Sequence, residues 1–579
     1  MSHHHKPRRG DRAGPNHSPN ALTFCFCLLT LFHAGCQPDE TPKPNEEQVT
    51  SASKPTTLWF RTAPKNTGID FRHHSGHENE YLFPEIMSGG VACIDYNNDG
   101  WWDLYFIQGG KLKNQADQTE TNRLFRNQGD GTFEDVTTEA KVGDPSYGMG
   151  AVVGDYDNDG QADIYVTNVG ANVLYRNLGN GTFEDVSTKA GVNHPGWGTS
   201  ASFLDFDQDN DLDLIVANYI RWSIEEETIC YSRGGKQDYC SPLSYKTPAM
   251  DVLYRNNGDG TFTDITSSSG INQSFGNGLG VACADFDQNG WVDIFVANDA
   301  LPNQLWLNQK NGTFKNEALI RGCAVNGMGL NEAGMGVGLA DINQDGWWDL
   351  FVTHLESESN TLYLNTDGFF RDEVKQNGPG VMSWPFTGFG VVFADFDNDS
   401  ILDSYIANGR VKYGPKTYDP ADQFAEPNHL LKGIGDGAFE DYSTAIASDE
   451  PFPRASRASI QVDLNNDGNL DLVTVNRDQA AEILINQNPH PNSNWIRFRL
   501  LNSSGSDSIG AKATIETEAL QITRLVQTGL GYCSSQDPRM HVGLGSEKRV
   551  EKLTVTWPNS TTNTYGPFEP NQQHTIQMP

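Results

Sequence analysis

An acidic nine-residue loop that occurs seven times is the feature that most constrains the fold of this 579-residue chain. Each copy has an oxygen-bearing side chain at positions 1, 3, 5 and 9 and a turn residue at position 6. A hard divalent cation requires such a set of oxygen ligands from a short loop. Seven similar loops therefore predict seven similar structural units. The loops begin at Asp95, Asp155, Asp205, Asp285, Asp341, Asp395 and Asp463.

The predicted ligands all end in oxygen, and none is histidine or cysteine, which favours calcium over zinc or copper. Positions 1, 3, 5 and 9 of the seven loops are Asp95, Asn97, Asp99 and Asp103; Asp155, Asp157, Asp159 and Asp163; Asp205, Asp207, Asp209 and Asp213; Asp285, Asp287, Asn289 and Asp293; Asp341, Asn343, Asp345 and Asp349; Asp395, Asp397, Asp399 and Asp403; Asp463, Asn465, Asp467 and Asp471. Position 7 offers only its backbone carbonyl, so its side chain varies: Trp101, Gln161, Asp211, Trp291, Trp347, Ile401 and Asn469. We therefore expect up to seven calcium ions.

Position 6 of each loop requires a left-handed backbone conformation, which glycine adopts without steric cost. Five loops have glycine there, whereas the loops that begin at Asp205 and Asp395 have Asn210 and Ser400. Asparagine tolerates this conformation better than serine does. We therefore expect the Asp395 loop to be the most strained.

Short apolar runs flank the loops, for example at residues 90–94 and 104–107. An EF-hand would need a glutamate at loop position 12 and a helix on each side. The flanking runs instead read as strands, so each loop is predicted to be a calcium-clamped hairpin connection. An acidic turn that binds no metal is the alternative, and seven copies make it the weaker interpretation.

A second repeated element follows the loops, as at residues 122–136, where alternating apolar residues, a Gly-Asp-Gly turn and a Phe-led strand indicate a β-hairpin. The seventh unit stops at Asn486 without its Phe-led strand, and residues 58–60 supply a matching one. An N-terminal strand that completes the last unit is typical of a closed propeller. The loop starts are 50 to 80 residues apart, a period that indicates propeller blades or a solenoid.

We therefore predict an all-β fold, with a seven-bladed β-propeller carrying calcium-binding blade loops at residues 58–488. An insertion occupies roughly residues 218–250, between the third and fourth loops. Short alternating segments at residues 494–500, 513–516, 540–545 and 550–557 predict a small C-terminal β-domain at residues 489–579.

The charge of the chain is strongly acidic, with 75 Asp and Glu against 41 Lys and Arg and a net charge of −34. Of the acidic side chains, 24 lie at predicted ligand positions, so most of the imbalance belongs to the loops. Nucleic-acid binding requires a basic footprint, and we expect no nucleic-acid partner.

The N-terminal residues 1–36 predict an export signal, with a basic start followed by a short apolar stretch. Cys36 follows a sequence similar to a lipoprotein cleavage box, which predicts lipidation at that residue. Residues 37–57 are rich in Pro, Glu, Thr and Ser and read as a disordered tether. We expect an exported protein, either secreted or anchored to the cell envelope, that contacts a membrane only through this lipid.

The cysteines fit the same compartment. Cys230 and Cys240 bracket a polar stretch of the insertion and are predicted to form a disulfide. A metal pair is the weaker interpretation, because no histidine or second cysteine pair lies near. Cys93 and Cys283 lie in apolar strands and read as buried thiols, and Cys323 and Cys533 stay unassigned.

Candidate catalytic groups are few. His73, His74, His77 and Glu85 precede the first loop and are suited to acid–base work or a second metal, although a polar loop on the propeller face is the favoured interpretation. Arg454 and Arg457 are suited to an anionic ligand, but we expect them to pair with neighbouring acids. Four tryptophans beside loop glycines would stack on sugars or pack between blades: Trp101, Trp102, Trp347 and Trp348.

The loops and Phe-led hairpins resemble FG-GAP/VCBS repeats, and Gly388-Phe389-Gly390 shows the motif that names them. The C-terminal segments 508–513, 529–532, 537–545 and 553–558 resemble the ASPIC/UnbV domain. This order of repeats and domain is that of the cartilage acidic protein family and its bacterial relatives. The resemblance implies an extracellular, calcium-bound, adhesive or scaffolding protein, and Cys533 departs from the family pattern of an aliphatic residue there.

These observations favour a non-catalytic, calcium-binding surface protein that binds a protein or glycan partner. The alternative is an exported propeller enzyme that acts on polysaccharide, with its site near His73 and Glu85.

Overall fold

Each acidic loop joins the first two strands of an antiparallel sheet in the computed structural model, which describes residues 57–113, 119–373, 379–414, 416–447 and 453–579. The repeats form seven such sheets, numbered here by the order of their loops. The prediction of an all-β fold is confirmed.

Sheets 1 to 3 contain strands β2 (Val91–Ile94), β3 (Asp103–Phe106), β4 (Arg123–Asn127) and β5 (Phe133–Asp135); β6 (Gly148–Gly154), β7 (Asp163–Asn168), β8 (Val173–Asn177) and β9 (Phe183–Asp185); β10 (Gly198–Leu204), β11 (Asp213–Asn218), β14 (Val252–Asn256) and β15 (Phe262–Asp264). Sheets 4 and 5 contain β16 (Gly278–Ala284), β17 (Asp293–Asn298), β18 (Gln304–Asn308) and β19 (Phe314–Asn316); β20 (Val337–Ala340), β21 (Asp349–Val352), β22 (Thr361–Thr366) and β23 (Phe369–Asp372). Sheet 6 contains β24 (Gly388–Ala394), β25 (Asp403–Asn408), β26 (His429–Gly435) and β27 (Ala438–Asp441).

Sheet 7 is built from both ends of the repeat region. Its strands are β29 (Ser456–Val462), β30 (Asp471–Asn476), β31 (Glu482–Asn486), β1 (Phe60–Thr62) and β28 (Ile446–Ala447). The N-terminal β1 pairs antiparallel with β31, in a register that places Phe60 opposite Asn486. The strand that the seventh repeat lacks is thus supplied from the start of the repeat region.

Between β11 and β14, the insertion carries a hairpin of β12 (Cys230–Tyr231) and β13 (Gln237–Asp238). It follows the end of a second strand, whereas the acidic loops precede the second strands. The insertion and the acidic loops therefore lie at opposite ends of the sheets.

Short helices, which the sequence analysis did not predict, lie mostly after the outer strands of the sheets. The α-helices are α1 (Thr137–Ala140), α2 (Ser187–Ala190), α3 (Pro242–Tyr245), α4 (Thr266–Ser269), α5 (Ala318–Arg321) and α6 (Pro379–Ser383). Described 3₁₀ turns span Phe83–Ile86, Ile224–Glu226, Ile271–Gln273 and Ser443–Ala445. None of these α-helices exceeds five residues, which is too short for a periodic apolar pattern to be visible.

The C-terminal segment forms two more sheets, one of β32 (Asn494–Leu501), β36 (Met540–Gly545) and β39 (Gln573–Gln577), the other of β33 (Lys512–Glu516), β34 (Gln521–Leu525), β37 (Lys552–Thr556) and β38 (Thr562–Tyr565). Their inward side chains, including Phe498 and Trp557, form one apolar core. A two-residue strand, β35 (Ser534–Ser535), leaves this segment and pairs with β2 of sheet 1. The segment belongs to the same compact unit as the repeats.

Apolar side chains from all seven repeats meet in one buried cluster, the central cluster. Its members at or shortly before the first strands are Met87, Tyr147, Met149, Trp197, Leu279, Met335, Phe389 and Ala455. Tyr532 and Cys533 of the C-terminal segment enter this cluster, and the Tyr532 hydroxyl donates a hydrogen bond to the carbonyl of Met87. The C-terminal segment thus contributes to the core of the repeat region.

Candidate metal centre

The acidic loops share one frame of hydrogen bonds, seen clearly in the Asp155 loop. Asp155 Oδ1 accepts a hydrogen bond from the Asp159 N–H at 3.1 Å, and Oδ2 accepts one from the Gly160 N–H at 2.9 Å. The bond from position 6 to position 1 recurs in all seven loops. It requires the left-handed backbone at position 6, where Ser400 has φ +79° and Asn210 has φ +70°.

The position-9 aspartate anchors each loop to its sheet. Asp163 Oδ1 accepts the N–H of Asn177 on the third strand at 2.7 Å, and Oδ2 accepts the N–H of Tyr156 at 3.1 Å. The equivalent pair of bonds occurs at Asp103, Asp213, Asp293, Asp349, Asp403 and Asp471. Because a carboxylate oxygen has more than one lone pair, these bonds leave room for a cation.

In four loops the fold brings three aspartates within reach of one metal ion. Each group offers carboxylate oxygens that lie within 4.8 Å of one another. The groups are Asp155, Asp157 and Asp163; Asp205, Asp207 and Asp213; Asp285, Asp287 and Asp293; Asp395, Asp397 and Asp399. The other three loops have asparagine at position 3, namely Asn97, Asn343 and Asn465, so an amide oxygen replaces one carboxylate.

Buried carboxylate oxygens without a hydrogen-bond partner test whether these groups fit a cation. Among the described residues, Oδ1 of the position-3 aspartate is such an orphan in all four groups: Asp157, Asp207, Asp287 and Asp397. A buried, unpaired carboxylate oxygen is costly. A metal ion at the centre of each group would satisfy it, so the residues fit calcium.

The pKa values of the loop carboxyls point the same way. Burial raises the pKa of Asp103, Asp349 and Asp395 to about 8, and that of Asp205 to about 7. Neighbouring aspartates of the same loop raise these pKa values further. A bound cation would offset both effects and keep the carboxylates charged.

A basic side chain accompanies each loop that has four carboxylates. Arg176 on β8 contacts Asp157 at 2.5 Å and Asp159 at 2.8 Å, and Lys432 on β26 contacts Asp397 and Asp399. Arg255 on β14 is close enough to lower the pKa of Asp207, although burial dominates and raises it overall. In the Asp155 and Asp395 loops, the orphan position-3 oxygen is the one that the basic group does not contact.

Position 4 is a structural position that the sequence analysis missed. Its residue has a left-handed backbone, and its side-chain amide donates a hydrogen bond to the position-6 carbonyl of the next loop, as from Gln288 to Gly346 at 3.0 Å. All seven loops take part, and the bond from Asn466 returns to Gly100 of the first loop at 3.1 Å. The donors, the position-4 belt, are Asn98, Asn158, Gln208, Gln288, Gln344, Asn398 and Asn466. The sequence did contain one signal of this role, because position 4 of every loop is an asparagine or a glutamine.

The C-terminal segment lies against the same loops. Arg497 donates to Asp463 Oδ2 at 2.5 Å, and the Ser506 hydroxyl donates to Asp155. His541 Nε2 lies 2.7 Å from Asn398 Oδ1, and Arg499 lies 3.8 Å from Asp95. Position 1 of several loops thus contacts this segment, and at position 3 of the Asp395 loop His490 lies 3.4 Å from Asp397.

The fold assembles part of the candidate catalytic set at the opposite end of the sheets. His77 Nδ1 lies 2.6 Å from Glu85 Oε2, and the Tyr239 hydroxyl donates to the same oxygen at 3.0 Å. His73 is buried apart from them, 3.1 Å from the Ser88 hydroxyl, and burial lowers its pKa to about 4. His74 is held through its backbone N–H, which donates to Gln108. Tyr239, from the insertion, was not predicted.

The arginine and tryptophan candidates are engaged inside the protein. Arg457 is buried and donates to the carbonyls of Ile86, Gly409 and Arg410. The expectation that it pairs with acids is wrong, because its guanidinium satisfies carbonyls beside the central cluster. Arg454 Nη1 donates to Gln479 at 2.7 Å. Trp102 and Trp348 are buried in apolar clusters, whereas Trp101 and Trp347 are partly exposed.

Cys230 and Cys240 form a disulfide, and Cys93, Cys283, Cys323 and Cys533 are buried thiols. Burial raises the pKa of Cys283 and Cys533 to about 12.

The predicted signal, Cys36 and nearly all of the tether lie outside the described residues. Within the described residues, no helix is long and apolar enough to cross a membrane.

Comparison with known families separates two parts of the chain. Residues 95–166, 155–216, 235–296, 285–352 and 341–406 match the FG-GAP-like repeat, and residues 502–579 match the ASPIC and UnbV family. Together, the repeat matches span 294 of the 579 residues. These matches agree with the resemblance drawn from the sequence.

Similar individual proteins include cartilage acidic protein 1 of Mus musculus, which is 28% identical over 299 residues, or 51% of this chain and 44% of that protein. The chain therefore spans about half the length of this curated relative. Among solved structures, an Agrocybe aegerita lectin has 15% identity and a TM-score of 0.37, covering 61% of this chain and 79% of its own. A rhamnogalacturonan lyase of Bacillus licheniformis has 13% identity and a TM-score of 0.35, covering 69% and 71%. Such low scores carry no argument about activity. The family matches show the architecture alone: the chain belongs to the FG-GAP-like repeat family, with a C-terminal ASPIC and UnbV segment.

Proposed function

We propose that the seven repeat sheets close into one ring, a seven-bladed β-propeller. The first strands of neighbouring sheets contact one another, and β2 contacts both β6 and β29. A buried apolar cluster spans sheets 7 and 1, where Ile460 and Val462 meet Val91 and Cys93. The position-4 belt, which returns from loop 7 to loop 1, supports the same closure.

We propose that the loops hold up to seven calcium ions. The observation that carries this proposal is the set of buried position-3 carboxylate oxygens without a donor among the described residues. Calcium takes six to eight oxygen ligands, and positions 1, 3, 5, 7 and 9 offer at least five. Seven bound ions would offset much of the acidity that distinguishes the chain.

We propose that the protein is exported and acts as a non-catalytic adhesion, scaffold or ligand-binding protein whose partner is a protein or a glycan and not a nucleic acid. The Cys230–Cys240 disulfide is consistent with an oxidising compartment. The predicted signal and Cys36 allow secretion or a lipid anchor. Family membership supports the architecture and leaves the partner to experiment.

A second candidate, an exported enzyme acting on polysaccharide, has one observation in its favour. His77, Glu85 and Tyr239 form a hydrogen-bonded cluster in which His77 is the most exposed member. Acid–base chemistry needs such groups within hydrogen-bond reach of substrate. The Glu85 and Tyr239 side chains are buried and bonded to each other, which favours a structural role.

One preparation tests both candidates. Metal analysis of the purified protein should find calcium, and chelation should lower the melting temperature until calcium is added back. Fewer than four ions per chain would contradict the calcium proposal. Incubation with acidic and neutral polysaccharides should yield no new reducing or unsaturated ends, and their appearance would establish the enzyme instead.

A further inference from the structure

The insertion forms one wall of a cavity of about 900 Å³ at the end of the sheets opposite the acidic loops. The hairpin β12–β13 and its disulfide provide this wall, and residues 412–414, which follow β25, provide another. Glu356 and Ser357, after β21, complete the lining with Gln423. Ligand sites in proteins are commonly concave spaces of about 300–1,000 Å³, so the cavity is large enough for a small ligand.

Cations outnumber acids in the lining of this cavity. Arg233, Lys236 and Lys412 line it, in a chain whose net charge is −34. Across the described residues, none of the three side chains forms an ion pair or a hydrogen bond. In an acidic protein, three such cations favour an anionic ligand.

The two acids that line the cavity are, in contrast, already engaged. Asp238 accepts hydrogen bonds from the backbone N–H groups of Tyr239 and Tyr413, each at 3.0 Å. Glu356 lies 3.5 Å from the Arg410 guanidinium. The lining therefore has three cations against two acids, and both acids also hold the cavity walls.

Aromatic rings and hydroxyl groups indicate what kind of anion fits. Tyr231 is 66% exposed, and Tyr413 lines the cavity with its hydroxyl 2.8 Å from that of Tyr81. Ser232, Ser241 and Ser244 also line the cavity. Exposed aromatic faces stack on sugar rings, and hydroxyl groups pair with sugar hydroxyls, whereas an acidic peptide would not need these rings.

We propose that this cavity binds an acidic oligosaccharide, one that carries carboxylates on its sugar rings. The cations Arg233, Lys236 and Lys412 contact the carboxylates, and Tyr231 stacks on a ring. This inference rests on the scaffold function proposed above and names the ligand class for it.

Titration calorimetry with trigalacturonate, in the presence of calcium, tests the assignment. We expect the natural protein to bind the trimer and to bind its methyl ester, which keeps the rings and loses the charge, at least about tenfold more weakly. Absence of binding to the trimer at millimolar concentration, or equal binding of the ester, would overturn the proposal. Equal binding of a short poly-glutamate peptide would overturn the sugar assignment.

Variants locate the binding in the cavity. Lys412→Glu and Arg233→Glu should each weaken trigalacturonate binding about tenfold or more, because each reverses one charge at the site. Lys548→Glu, at an exposed site in the C-terminal segment, makes the same charge change and should leave binding within about twofold. Tyr231→Ala should weaken binding and Tyr231→Phe should restore it, and the exposure of this ring makes loss of folding a poor explanation. Unchanged binding in Lys412→Glu, Arg233→Glu and Tyr231→Ala would refute the site.

The same samples separate failure of this inference from failure of the proposed function. If the melting temperature responds to calcium but the protein does not bind the trimer, the proposed calcium-binding scaffold stands and the ligand assignment fails. Cleavage of the bound trimer would leave the cavity assignment intact and replace the non-catalytic role.

Discussion

At the scale of single residues, the informative atoms are those that the fold buries without a partner. Position 1 and position 9 of every loop have backbone donors, whereas the position-3 oxygen lacks one in four loops. The third-strand cations Arg176, Arg255 and Lys432 accompany the loops with four carboxylates. With calcium bound, each of these cations offsets the one extra negative charge of its loop. We therefore do not expect the loops with four carboxylates to bind calcium more tightly than the others.

The role of position 3 can be tested with a substitution whose effect on the free energy of unfolding changes sign when calcium is removed. Asp207→Asn keeps the shape of the side chain and removes one of four clustered charges. With calcium bound, the free energy of unfolding should fall by about 1–2 kcal/mol; in chelator it should rise, because repulsion within the loop decreases. Thermal melting under both conditions measures this. Asp259→Asn, in an exposed hairpin turn, is the matched control, and destabilisation of both forms by Asp207→Asn would contradict a ligand role.

Some of these residues could be predicted from the sequence and others could not, for a physical reason. Ligand positions recur with oxygen chemistry, so the repeat itself points to a cation. Position 4 recurs as an amide, but its partner is a carbonyl in another repeat, which only the arrangement of the sheets brings near. The partners of Arg457 could not be predicted for the same reason, since the carbonyls that it binds come from distant segments.

At the scale of elements, two series of side-chain amides connect neighbouring loops. The position-4 belt is one. In the other, an asparagine on the third strand donates to the position-2 carbonyl of the preceding loop, as from Asn177 to Tyr96 at 2.8 Å. Sheet 6 has Gly433 in place of this asparagine. The boundary between sheets 5 and 6 therefore depends on the belt more than the others do.

Interrupting the belt at one link should loosen two loops together. Gln288→Glu replaces a donor with an acceptor opposite the Gly346 carbonyl, which should cost about 1 kcal/mol. Hydrogen exchange should quicken in the loops that begin at Asp285 and Asp341, and thermal melting gives the total loss. Gln487→Glu is the control, because within the described part of the chain the Gln487 amide donates to the carbonyl of Ile485, two residues earlier, and to no other loop. Faster exchange in one loop alone would contradict coupling.

Elements with a periodic pattern were predicted, and those without one were not. The strands that flank the loops alternate or are wholly apolar, and β1 was predicted because the seventh repeat lacked a strand. The C-terminal β34, β38 and β39 and the two-residue β35 were missed. Pairing of β35 with β2 depends on Tyr532 entering the central cluster, which no local pattern encodes.

At the scale of the whole molecule, a rise in pH should lower the stability of the calcium-free protein, and calcium should restore it. The carboxyls of Asp103, Asp349 and Asp395 have folded pKa values of about 8, raised by burial from an ordinary value near 4. Without calcium the folded protein binds more protons than the unfolded chain, so its stability falls as pH rises toward 8. Burial lowers the pKa of His73 to about 4 and that of His354 to about 3. Above pH 6.5, these histidines therefore change stability little.

Melting curves at pH 6.5 and pH 8 check this expectation. In chelator the melting temperature should be higher at pH 6.5, and added calcium should raise it more at pH 8, where protons no longer compete for the carboxylates. Equal responses to calcium at the two pH values would contradict the electrostatic account of the loops.

The pairing of β1 with β31 has a consequence for biosynthesis. Phe60 and Asn486 are paired, so 426 residues must be translated after the first before the second exists. At about 5–20 residues per second, the leading strand waits roughly 20 to 85 seconds without its partner. During that time its apolar residues are open to chaperones or, on an export route, to the translocation machinery. Sheet 7 therefore cannot be completed until the last repeat has been translated.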